Sequence, residues 1–116
     1  MATQVQLNKF VRKSIRPTST PTVVYNGVPQ NASIIISALA SNNTGSTQTI
    51  NLKLSTYQSS YLPYIVNNFT IPPNDTVNLI VNKLVITEDD SIIVSTGIGS
   101  DNNIDLTLSI LETVNT

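Results

Sequence analysis

The sequence predicts an all-β chain: a single antiparallel β-sandwich of about eight strands, of jelly-roll or immunoglobulin-like topology, with an extended N-terminal arm. Three observations predict it. Ile104, Leu106, Leu108 and Ile110 alternate with Asp105, Thr107 and Ser109, the period of a strand with one face buried. Ile50, Leu52 and Leu54 repeat the alternation against Asn51, Lys53 and Ser55. The β-like runs come at short spacing between turn-forming clusters, and no stretch sustains a helical period, which suits two packed sheets.

In chain order, residues 1–21 are expected to form an extended arm or peripheral strand and residues 22–116 the sandwich. Pro17 and Pro21 remove backbone donors and hold their preceding residues extended, so no helix crosses the junction. Further strands are expected at Thr22–Tyr25, Ala32–Ala40, Tyr64–Ile71, Thr76–Val81, Leu84–Thr87 and Ser91–Thr96. Ser33 to Leu39 could be drawn as a short helix, but Ile34, Ile35 and Ile36 are consecutive β-branched residues and favour a strand. The apolar phase slips by one between Val77-Leu79-Val81 and Leu84-Ile86, which a tight turn or a bulge around Asn82 and Lys83 explains, the turn being preferred. Asn26-Gly27, Asn42-Asn43-Thr44-Gly45, Pro72-Pro73-Asn74-Asp75, Glu88-Asp89-Asp90 and Gly97 to Asn103 supply the turns.

Composition narrows function. The chain of 116 residues has no cysteine and no histidine, which removes thiolate chemistry, disulfides, imidazole bases and the commonest metal ligands. No Ser, Thr or Lys can be given a base and an orienting group, so neither an enzymatic role nor a cofactor is expected. Charged residues make up only 11% of the chain, so its surface is solvated mainly by the hydroxyls and amides of Ser, Thr and Asn. Such a surface lets identical subunits lie side by side without strong repulsion.

The longest apolar runs, such as Ile34–Ile36 and Leu84–Ile86, fall far short of the roughly 20 residues that span a bilayer, so no membrane partner is expected. Lys9, Arg12 and Lys13 precede no hydrophobic region, so the N-terminus does not read as a signal peptide and synthesis in a cytoplasm is expected. The sequons at Asn31, Asn42, Asn68 and Asn74 are then not expected to carry glycans.

Four of the six basic residues, Lys9, Arg12, Lys13 and Arg16, lie in the first sixteen positions, whereas every acidic residue lies between Asp75 and Glu112. A basic extended segment can touch phosphates or acidic protein. With Phe10 its only aromatic, docking on a neighbouring subunit is preferred over nucleic acid. The arm is therefore expected to reach away from its own sandwich. Val5, Leu7, Phe10 and Val11 would make apolar contacts, Lys9, Arg12, Lys13 and Arg16 would meet acid on another copy, and removal of residues 2–16 would leave a folded domain.

Tyr57, Tyr61 and Tyr64 cluster around Leu62-Pro63 and are candidates for an interface or for stacking on sugar rings. Glu88-Asp89-Asp90 reads as a solvated turn, and Asp101-Asn102-Asn103 with Asp105 as at most a weak calcium site. Gly97-Ile98-Gly99 precedes a strand where a phosphate loop would precede a helix.

From Val23 to Glu112 the layout resembles small β-sandwich structural proteins of tailed bacteriophage virions. The resemblance is carried by the Val28-Pro29 turn, Ile34-Ile35-Ile36-Ser37 leading to Ser41-Asn42-Asn43-Thr44, and Thr49 to Leu54. Phe69-Thr70-Ile71-Pro72-Pro73-Asn74-Asp75-Thr76, Lys83-Leu84-Val85-Ile86 and a closing strand ending Leu111-Glu112 complete it. It implies a non-enzymatic virion subunit that forms homo-oligomers on the capsid exterior as a decoration protein, or else a neck or tail accessory protein or a host-glycan-binding module. Its partners would be copies of itself and other virion proteins, such as major capsid, neck or tail proteins. Nucleic acid and small molecules are not expected partners. The basic arm has no counterpart in that layout.

Overall fold

The computed structural model describes residues 6–29 and 32–115, with side chains described for 8–29 and 32–112. Nine strands and no helix make up the described chain: β1 (Gln6–Ile15), β2 (Thr22–Asn26), β3 (Ser33–Asn42), β4 (Gln48–Thr56), β5 (Tyr64–Ile71), β6 (Thr76–Asn78), β7 (Leu84–Ile86), β8 (Asp90–Thr96) and β9 (Ile104–Asn115). Pairing is antiparallel throughout and nested: β1 with β9, β2 with β8, β3 with β6 and β7, and β4 with β5. The two sheets that result run β1-β9-β3-β6, with β7 also on β3, and β2-β8-β4-β5. This is the jelly-roll order of two facing four-column sheets.

Alternation sets the core. Ile104, Leu106, Leu108 and Ile110 turn inward and are at most 1% exposed, as are Ile35, Ala38 and Ala40 from β3 and Ile50, Leu52, Ile92 and Val94 from the other sheet. Branched residues dominate because they suit a pleated surface buried on one side.

Two expectations change here. The segment expected as Thr76–Val81 is a strand only to Asn78, after which Leu79 and Ile80 are both buried and Val81 is fully exposed. The phase slip is thus a five-residue irregular connection, Leu79 to Lys83, between two strands that both pair with β3, anchored by Leu79 N donating to Ala38 O at 2.8 Å.

More consequentially, residues 6–15 do not reach away from the sandwich. They form its edge strand, paired residue for residue with β9 from Gln6↔Asn115 to Ile15↔Leu106, while Val11 and Ile15 pack on the core. Residues 1–5 lie outside the described chain. The turn after β1 is held by Arg16, whose Nε donates to Asp105 Oδ1 at 2.8 Å, and by Ser19 N donating to Asp101 Oδ1 at 2.9 Å. Asp101 and Asp105 therefore tie down this connection, and among the described residues no three metal-ligating side chains converge. The Arg16 hydrogen bond and charge hold the Asp105 carboxyl below its ordinary value.

The acidic turn after β7 also departs from its expected solvated character at one residue. Asp90 is 9% exposed and accepts from Thr87 N and Thr87 Oγ1, both at 2.9 Å, and from Thr56 Oγ1 at 2.8 Å, clasping the turn to the end of β4. Burial opposes its charge, but the bonds from Thr87 and Thr56 outweigh burial and hold the carboxyl below its ordinary value of 3.8. A lowered native value makes the contribution to stability full at neutral pH and lost as pH falls from 3.8 through that lower value. Acid unfolding of the chain should accordingly begin earlier than that of Asp90→Asn relative to each protein's own neutral stability, a difference that urea midpoints measured across pH would register.

Candidate functional site

Because β1 is extended and paired on one side only, its residues divide strictly between two faces. Lys9, Val11, Lys13 and Ile15 share the parity of the buried β9 residues, since they stand opposite Glu112, Ile110, Leu108 and Leu106. Phe10, Arg12 and Ser14 turn to the outer face with Leu111, Ser109 and Thr107. Of the residues expected to dock together, Phe10 and Arg12 are thus separated from Lys9, Val11 and Lys13. Arg16 meets acid on its own chain. Leu7 is placed by its backbone alone, opposite Val114, and Val5 lies outside the described residues.

On the inner side, Lys13 lines a cleft of about 260 Å³ where the β1 and β2 edges part, together with Val23, Val24, Tyr25, Asn26 and Glu112. Glu112 is 8% exposed and its Oε2 accepts from the Tyr25 hydroxyl at 2.7 Å, while that hydroxyl also lies 2.7 Å from Ser33 Oγ. Burial, then the bond to Glu112, pushes the Tyr25 hydroxyl up to about 12, so it stays protonated and donating at every physiological pH. The trio joins β2, β3 and β9 across the sheets. No sequence signal pointed to it, because its members lie far apart in the chain.

On the outer side the registers align four apolar side chains in one row. Phe10 stands opposite Leu111, Leu111 opposite Ile34, and Ile34 opposite Val85, so the row crosses all four columns of the sheet. Phe10 is 78% and Val85 58% exposed. Ile36, at the bulge where the β3–β9 register shifts, and Leu39 extend the exposed apolar surface along β3. No single element shows this row in sequence, since its members come from four strands.

Tyr57 and Tyr61 are largely exposed, and Tyr64, half exposed, lines a groove on the outer face of the β2-β8-β4-β5 sheet. That groove, of about 140 Å³, is bounded by Pro21, Asn51, Lys53, Leu62, Tyr64, Ile93 and Ser95. Lys53 Nζ sits 4.6 Å from the centre of the Tyr64 ring.

Comparison with protein families and with curated proteins finds no match to this sequence. Among solved structures the fold is similar to one described as "Bacillus endospore appendages form a novel family of disulfide-linked pili", with a TM-score of 0.50 and 10% identity over 97% of this chain and 92% of that chain. The likeness is one of fold.

Proposed function

We propose that this chain is a non-enzymatic structural subunit that assembles with copies of itself, and that its assembly is the virion of a tailed bacteriophage, where it decorates the capsid exterior. The observation that carries the self-assembly reading is the row Phe10, Leu111, Ile34 and Val85 on the outer face of the β1-bearing sheet. A continuous apolar strip with polar neighbours is what an interface offers before its partner arrives. Sheet faces of this kind pack on one another at about 10 Å, so a second copy presenting the same row is a suitable partner. The virion setting rests on the resemblance in layout from Val23 to Glu112, and the jelly roll is an architecture used in viral capsid domains. A neck or tail position, alongside other virion proteins, is the alternative on the same grounds.

A second reading, a filament subunit, draws on the fold shared with the endospore pilus. That pilus is described as disulfide-linked, whereas this chain has no cysteine, so copies would be held by non-covalent contact alone.

Phe10→Lys and Val85→Lys test the row directly. Both positions are exposed, so neither change should cost much more than about 0.5 kcal/mol of fold stability. Light scattering after size exclusion should show the multimer of the unmodified chain reduced to the mass of a single chain, with unchanged circular dichroism. A multimer that survives both substitutions removes the row from the interface.

A further inference from the structure

We propose that the groove beside Tyr64 binds a hexuronate residue, a sugar ring carrying a carboxylate. Its lining is amphipathic in the way a pyranose is. Pro21, Leu62, Ile93 and the Tyr64 ring offer apolar surface to the C–H face of a ring, and Asn51 and Ser95 offer hydrogen-bonding groups to its hydroxyls. Asn51 is already oriented, because its Oδ1 accepts from Asn68 N at 2.7 Å, which directs its amide N–H₂ as a donor. At about 140 Å³ the groove suits one ring and no more.

Charge selects the class of sugar. Lys53 is the only ionisable cation in the lining, no carboxylate shares it, and among the described residues Lys53 forms no ion pair. Its ammonium lies over the Tyr64 ring, 4.6 Å from the ring centre, in the geometry of a cation–π contact. A cation held in place by a ring and lacking a counter-ion is prepared for an anion. Outward alternation on β4 places Asn51 and Lys53 two residues apart on the same face, so the carboxylate and the ring hydroxyls are met by one strand. Serine and isoleucine at 95 and 93 on β8 complete the floor. The site lies on the sheet opposite the apolar row, so it does not depend on how copies assemble.

The test uses the full ¹⁵N-labelled chain titrated with methyl β-D-glucuronide and, separately, methyl β-D-glucoside. Millimolar glucuronide should shift the amides of Asn51, Lys53, Tyr64 and Ser95, with the glucoside roughly tenfold weaker, the scale of one charge-assisted hydrogen bond. Lys53→Met should remove that preference and Lys53→Arg should retain it, while Tyr64→Ala should abolish binding of both sugars. The rest of the spectrum reports that each variant is folded. Equal binding of the two glycosides, shifts centred away from the groove, or no shifts at all would each overturn the assignment.

Discussion

Deleting residues 2–16 is expected to destabilise the domain by about 3 kcal/mol or more and to make it aggregate. Val11 and Ile15 are half-buried against the core, and β1 shields one flank of Leu106, Leu108 and Ile110, which are at most 1% exposed. Full burial of such side chains is worth about 1.5–3 kcal/mol each, so losing the contacts of Val11 and Ile15 and partly exposing the three β9 side chains together exceeds about 3 kcal/mol. Set against a typical total of about 5–15 kcal/mol, that is a large share. The deletion would also turn β9, twelve residues long, into a sheet edge without Lys9, Arg12 and Lys13, which guard β1. Urea unfolding followed by circular dichroism, with turbidity recorded in parallel, measures both effects. A truncated chain with an unchanged midpoint and a clear solution would show that β1 is a detachable arm.

Asn42→Ala is expected to cost about 3–5 kcal/mol, a large effect for one polar side chain. Asn42 is 1% exposed. Its Nδ2 donates to Ser46 O at 2.8 Å and to Ile71 O and Pro72 O, both at 3.1 Å, while its Oδ1 accepts from Thr44 N at 3.0 Å and Thr44 Oγ1 at 2.7 Å. One side chain thus joins the end of β3 to the following turn and to the exit of β5. Alanine would strand these partners, at about 1–3 kcal/mol for each one that water does not reach. Asn42→Asp separates the two halves of the role, because it keeps the acceptor for Thr44 and sets a carboxylate against three carbonyl oxygens. Its native carboxyl would be raised above the unfolded value. Its stability should therefore improve as pH falls and decline as pH rises through the raised value, opposite in sign to the clasp at Asp90. Thermal unfolding at two pH values distinguishes these outcomes.

What could be read from the sequence, and what could not, follows from how local the signal is. β9 and β4 were legible because their own residues alternate, and Tyr64–Ile71 was legible to the residue. The turn at Asn74 was legible too, and Asn74 takes the positive φ of 54° that its residue type tolerates. β1 was legible as extended, but its pairing within this sandwich was not, because its ladder partners lie between 91 and 109 residues on. Among the described side chains of its inner face Val11 and Ile15 are covered while Lys9 and Lys13 are exposed, so charges at positions 9 and 13 mask the period. Clustered basic residues then read as a docking arm, although Arg16 meets Asp105 within the same chain. The row from Phe10 to Val85 and the Tyr25–Glu112–Ser33 cluster were illegible for the converse reason, since nested pairing alone brings their members together.

Self-assembly is tested most directly by sedimentation equilibrium of the unmodified, untagged chain over a wide range of concentrations. A subunit of a repeating assembly should sediment as a defined multimer of the 12.5 kDa chain, or as a series that grows with concentration. A single species of 12.5 kDa at every concentration would contradict it.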